Sequence, residues 1–281
     1  MNLIEVKNVS KKYDDFELDN ISFELKKGTI MGLIGENGAG KTTIIKAILS
    51  LIKYDGEILV FGEKLNVKNK QRINAVLDDI FLSEYLNGKE IDSILSGIYN
   101  NWDSGYFYEL LEKFGLNSKK VIKDFSKGMK VKFKIATALA SKPELLILDE
   151  PTAGLDPVVR DEILDILLEF VEDEKNSILI SSHITTDLEK IADYITYIEK
   201  GKIIFTKDKY DLIEDFGILR CSHEDFNNID KLYIERYKVN KYNIEALIKN
   251  VSEFKSKYPK LLIDKLELDE MMVFYSKGEK I

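Results

Sequence analysis

Eight consecutive residues, Gly35-Glu36-Asn37-Gly38-Ala39-Gly40-Lys41-Thr42, fit the pattern Gly-x-x-x-x-Gly-Lys-Ser/Thr with nothing missing. Each residue type has a use in holding phosphate. The glycines let the backbone curl so that its N–H groups point inward at an anion. The start of the helix expected after the loop adds a favourable dipole. Lys41 can reach the outer phosphates, Thr42 can offer its hydroxyl to Mg²⁺, and Thr43 extends the loop into the helix. This is the chemistry of nucleoside triphosphate binding. A second group, Leu145-Leu146-Ile147-Leu148-Asp149-Glu150, ends a fully apolar run in two carboxylates. Asp149 can hold Mg²⁺ and Glu150 can orient or deprotonate an attacking water. Solvated acids at a strand end are the alternative reading of the same pair.

The elements needed to position these residues are legible around them. Ile30-Met31-Gly32-Leu33-Ile34 reads as a buried strand before the loop, and Ile44, Ile45, Ile48, Leu49 and Ile52 recur at helical spacing after it. Leu3, Val6 and Val9, then Leu18, Ile21, Phe23 and Leu25 beyond a turn at Asp14-Asp15, predict antiparallel strands. Ile58–Phe61 predicts a strand ending at Gly62. From about Phe81 to Lys123 helical spacing dominates, with Gly115 as a helix stop, and Val131–Leu139 is helical again. Pro157 opens a helix, Ser177–Ser181 is a core strand, and Tyr194–Phe205 is a hairpin turning at Glu199-Lys200-Gly201-Lys202. After about Thr206 the pieces become shorter and more charged. The expected organisation is therefore an α/β domain over 1–205 followed by a small α/β extension over 206–281.

The bulk composition excludes several classes. With 281 residues, 44% apolar content and a net charge of −8, the chain lacks the basic excess of a nucleic-acid binder. One cysteine, Cys221, forms no internal disulfide framework and suits a reducing compartment. The first residues lack a signal-peptide pattern, and no apolar run approaches the roughly 20 residues of a membrane span. The expectation is a cytoplasmic protein that relies on another subunit for any membrane crossing.

Three further segments complete a pattern: Phe125-Ser126-Lys127-Gly128-Met129, Ala153-Gly154-Leu155-Asp156-Pro157 and Ser181-Ser182-His183. In this order and spacing the chain resembles the nucleotide-binding subunit of an ABC transporter over residues 1 to about 205. That resemblance implies an ATPase that closes as a homodimer or heterodimer around two ATP molecules. Ser126 and the N–H of Gly128 of one subunit would touch the γ-phosphate held by the other's Gly35–Thr42. It implies Glu150 as general base or water-positioner, His183 on the γ-phosphate, Asp156 as a link across the dimer, and Tyr13 stacked on adenine. A surface strand aromatic is the other reading of Tyr13. The signature departs from Leu-Ser-Gly-Gly-Gln, with Lys127 at the first glycine. Such variants mark the exporter branch that handles bacitracin and lantibiotics, and phenol-soluble-modulin exporters are near comparisons.

Asp78 stands where the family has a Mg²⁺-sensing glutamine, with Asp79 as an alternative. The implied partner is a separate integral-membrane permease, which would hold the protein on the inner face of the membrane. Between about Phe81 and Phe114 a run of aromatics, including Phe81, Tyr85, Tyr99, Trp102, Tyr106, Phe107 and Tyr108, either receives that permease or fills a helix core. The tail resembles the C-terminal extension of the same branch, with Leu266–Phe274 as a closing helix. A soluble ABC-type ATPase acting on ribosomes or DNA, and a non-hydrolysing regulatory subunit, are the alternative classes.

Overall fold

The computed structural model describes residues 2–77 and 83–281. The chain folds as two compact units, Met1–Thr206 and Lys207–Ile281.

The first unit begins with β1 (Asn2–Lys12), β2 (Glu17–Lys26), β3 (Ile30–Ile34), α1 (Lys41–Ile48), β4 (Asp55–Val60), α2 (Val67–Lys70) and β5 (Ile73–Val76). It continues with α3 (Gly88–Leu95), α4 (Ser104–Lys113), α5 (Lys127–Ala140), β6 (Leu145–Asp149), α6 (Pro157–Val171), β7 (Ser177–Ser182), α7 (Thr185–Ile191), β8 (Tyr194–Glu199) and β9 (Lys202–Asp208). Alternating apolar residues on β1 and β2 make a three-stranded antiparallel sheet, β2-β1-β4. Its buried face packs against α1 through Ile44, Ile45 and Ile48.

The second sheet has the order β5-β6-β7-β3-β8-β9, and its pairs from β5 to β8 are parallel. Strands β3, β6 and β7 are buried at every residue, as expected for a parallel sheet covered on both faces. Register then determines what meets at the carboxyl edge. Asp149 pairs with Ser181, and Ile34 pairs with Ser182. The phosphate loop, the acid pair and His183 therefore leave the sheet side by side, where open α/β sheets place their ligands.

The helical segment between β5 and β6 is built mainly on its own aromatic core. Phe107 is fully buried and meets Phe133 edge-on at 5.8 Å, while Phe125 meets Phe133 at 5.7 Å. Asp92 accepts hydrogen bonds from the Trp102 indole, the Ser104 hydroxyl and the Tyr108 hydroxyl. Of the aromatics expected here, Phe107 is core, Trp102 packs on it at 5.3 Å, and Tyr85 is exposed. Phe81 lies outside the described residues. Helix α1 stops at Ile48, short of the periodic Ile52, which packs on the core from the following loop.

The second unit comprises α8 (Lys209–Asp215), β10 (Phe216–Cys221), α9 (His223–Asn228), β11 (Ile234–Val239), β12 (Ile244–Lys249), α10 (Val251–Lys257), β13 (Ile263–Lys265) and α11 (Leu268–Lys277). Its antiparallel sheet runs β11-β12-β10-β13 around Leu219, Ile234, Ala246, Ile248 and Phe254. Leu268, Met271, Phe274 and Tyr275 form the buried face of α11, so the closing helix starts two residues later than the sequence pattern places it. Arg220 bridges β12, β13 and α11 through Glu245, Asp264 and Glu270. Among the described residues no helix is long and apolar enough to cross a membrane.

Because Phe107 is fully buried among aromatics, Phe107→Ala should cost about 3–5 kcal/mol of stability. Chemical denaturation followed by circular dichroism should show an earlier unfolding transition. An unchanged midpoint would contradict the assigned core.

Candidate functional site

The phosphate loop owes its shape to close packing. A Cβ on Gly35 would fall 2.3 Å from the carbonyl oxygen of Ile198. Gly40 takes φ +114° and its Cβ would meet Leu18 and Phe16. Gly40 also caps α1 without any side-chain hydrogen bond, so the helix start is left to backbone N–H groups. Ala39 is buried and its N–H donates to the Glu36 carbonyl at 3.1 Å, which closes the loop.

Inside that loop the Lys41 ammonium is buried, with 5% exposure. It donates to the carbonyls of Gly35 at 2.7 Å and Glu36 at 3.2 Å. Its charge partner is Glu150, with Nζ 3.1 Å from Oε1. The pair is ionic rather than well aligned, because Oε1 accepts no hydrogen bond of good geometry among the described residues. The other carboxylate oxygen of Glu150 lies 2.6 Å from His183 Nδ1 and accepts from the His183 backbone N–H at 3.2 Å. Glu150 takes φ +50°, a left-handed backbone that is uncommon for a side chain of this size and recurs at functional sites. Its N–H donates to the Ser181 carbonyl and hydroxyl, both at 3.1 Å, which holds that conformation.

Asp149 is buried and fully engaged. It accepts from Thr42 Oγ1 at 2.7 Å and from Ser181 Oγ at 2.5 Å. One carboxylate thus joins β6, β7 and the first turn of α1.

Two cavities share Thr42 and Glu150. One, of about 440 Å³, runs along the loop and is lined by Asn37, Gly38, Gly40, Lys41, Thr43, Asp15 and Phe16. The other, of about 370 Å³, adds Asp149, Lys46, Lys127 and Leu77 among its walls. Tyr13 does not line the first cavity. It is 43% exposed, its ring faces Lys11, and its N–H donates to the Phe16 carbonyl. Phe16, which follows that turn, is the aromatic that reaches the loop, and motif reading missed it because it matches no pattern.

Ser126 and Gly128 stand at the start of α5. Ser126 caps the helix, accepting from the Met129 N–H, and neither residue is among the walls of the cavity along the phosphate loop. Lys127, between them, does line the cavity that holds Asp149 and Glu150. Asp78 and Asp79 lie outside the described residues. Asp156 caps α6, accepting from Val158 and Val159 N–H groups.

Comparison with known proteins agrees with this geometry. A family profile described as ABC transporter matches residues 18–153. The lantibiotic transport ATP-binding protein SrtF of Streptococcus pyogenes is 37% identical over 234 residues, covering 80% of this chain and 96% of SrtF. The bacitracin transport ATP-binding protein BcrA of Bacillus licheniformis is 37% identical over 210 residues, covering 72% of this chain and 68% of BcrA. A solved ATP-binding subunit of an ABC transporter superposes with a TM-score of 0.67 at 29% identity, covering 75% of this chain and 92% of its own. The chain therefore belongs to the ATP-binding subunits of ABC transporters, ATPases of the branch that includes the lantibiotic and bacitracin transport proteins.

Proposed function

We propose that the first unit hydrolyses ATP with Glu150 as the base that activates water, in a site completed by a second subunit, to drive export through a separate membrane permease. The observation that carries the reading is the placement of Glu150 between Lys41 at 3.1 Å and His183 at 2.6 Å. A buried ammonium is costly without a counter-charge, and the carboxylate supplies it. A triphosphate brings more negative charge to Lys41 than one carboxylate does. Its arrival transfers Lys41 from Glu150 to phosphate. Glu150 Oε1, a buried acceptor without a directed hydrogen bond among the described residues, then becomes available to a water proton. His183, donating from Nδ1 to Oε2, orients the carboxylate and leaves its other ring nitrogen for the γ-phosphate.

The residues fit Mg²⁺. Thr42 Oγ1 and Asp149 Oδ2 are hard oxygen donors 2.7 Å apart, and Mg²⁺ commonly takes one or two protein oxygens plus phosphates and waters. The ion would neutralise developing charge on the phosphates. Asp78 is proposed as a further ligand and Tyr13, with Phe16 beside it, as the base platform. The capping serine of α5, Ser126, and the N–H of Gly128 are proposed to face the nucleotide of a partner subunit, either a second copy or a related ATPase. The cargo class proposed from the relatives' names is antimicrobial or amphipathic peptides, and the permease would hold the protein at the inner face of the membrane. The unit Lys207–Ile281 is proposed to serve dimer contact or regulation.

Glu150→Gln keeps the shape and removes the base. Turnover should fall by roughly 10²–10⁴-fold while ATP still binds and a stable ATP-bound dimer accumulates on gel filtration. A Glu150→Gln protein that hydrolyses ATP like the wild type would refute the assigned role. In contrast, Lys41→Ala should act on binding, weakening ATP affinity by about tenfold or more through loss of charge-assisted hydrogen bonds. Isothermal titration that finds unchanged affinity would remove Lys41 from the phosphate grip.

A further inference from the structure

We propose that Asp187 is a positioning residue that ties the turn carrying His183 to the segment that follows Glu150. This rests on the reading that His183 and Glu150 act together. Asp187 lies in the first turn of α7, four residues after His183, and is only 2% exposed. Its neighbours come from two other elements of the machinery. Thr152 is wholly buried in the turn just beyond Glu150. Arg160, on the first turns of α6, brings Nε to 3.7 Å from Asp187 Oδ1. That helix is capped by Asp156, and the Arg160 N–H donates to the Asp156 carbonyl. One carboxylate thus faces both ends of the loop that runs from Glu150 to α6.

The electrostatics are costly. Burial pushes the Asp187 carboxyl above its ordinary range, and Thr152, Arg160, His183 and Lys190 oppose that rise. The hydroxyl of Thr152 is close enough to favour the ionised carboxylate, yet the contacts are imperfectly aligned. Thr152 Oγ1, Asp187 Oδ2 and Arg160 Nε all lack a well-directed hydrogen bond among the described residues. Buried charges of this kind seldom add net stability over an apolar replacement, and partly satisfied buried groups call for another explanation. What the cluster does supply is a fixed distance between three segments. Helix α7 has seven residues and no side-chain N-cap, and Asp187 is the buried charge of its first turn. A shift of that turn carries His183 with it and changes the 2.6 Å contact that orients Glu150.

The test uses the full chain and the fact that it contains only two histidines, His183 and His223. Imidazole NMR resonances, assigned with a His183→Ala variant, are compared in the wild type, Asp187→Asn and Thr152→Val. Thr152→Val changes no charge and removes only the hydroxyl, so it serves if Asp187→Asn folds poorly. The expected result is a shifted His183 resonance and an unmoved His223 resonance in both variants. Turnover should fall at least tenfold in Asp187→Asn and several-fold in Thr152→Val, with ATP affinity within about twofold of wild type. A His183 resonance unmoved in Thr152→Val, with wild-type turnover, would overturn the proposal. A wild type that fails to hydrolyse ATP would instead strike the hydrolytic reading, and the resonance comparison would still decide the role of Asp187.

Discussion

A buried positive charge organises the first unit. Lys41 can sit at 5% exposure only because two loop carbonyls and the Glu150 carboxylate surround it. That requirement reaches back through the fold. Glu150 is aimed at Lys41 by a left-handed backbone, held by Ser181 on the neighbouring strand. Ser181 also binds Asp149, which accepts from Thr42, the residue after Lys41. The lysine, the acid pair and the β7 serine therefore form one closed circuit. Its members lie far apart in sequence and are joined only by the parallel register of β3, β7 and β6. Changing that register by one residue would put Asp149 and Ser181 on opposite faces of the sheet and break the circuit.

The same circuit accounts for two roles of one loop. In the structure the loop is a cradle for an ammonium, satisfied from within the chain. In the proposed cycle it is a cradle for phosphate, with the ammonium redirected and Glu150 released towards water. The loop that follows Glu150 then matters as much as the phosphate loop. It leads through buried Thr152 to Asp156 and α6, and Asp187 ties it to the turn of His183. In the proposed cycle a substitution there would act on catalysis without touching nucleotide.

Much of this was legible in the sequence, for a physical reason. The phosphate loop and the acid pair are local patterns: their chemistry requires fixed residue types at fixed spacing, flanked by a strand and a helix. Features set by tertiary register left no such trace. Nothing near Ser181 announces that its hydroxyl bonds Asp149, because that contact depends on strand pairing across 32 positions. Phe16, Lys127 and Asp187 are likewise defined by what they face. The aromatic run before Phe114 was ambiguous between interface and core, since aromatics serve both. Among the described residues Phe107 is core with Trp102 packed on it, the other aromatics of the run are half-buried, and Tyr85 is exposed. Element ends drifted for ordinary reasons: apolar periodicity continued past α1 to Ile52, although the helix stops at Ile48.

The central claim is that phosphate and Glu150 compete for the same ammonium. The most direct test is ATP affinity at low protein concentration without magnesium, conditions that suppress both hydrolysis and dimer formation. Wild type and Glu150→Gln are titrated side by side. Removing the carboxylate charge removes the competitor, so the variant should bind ATP more tightly than the wild type. Equal or weaker binding by Glu150→Gln would contradict the account.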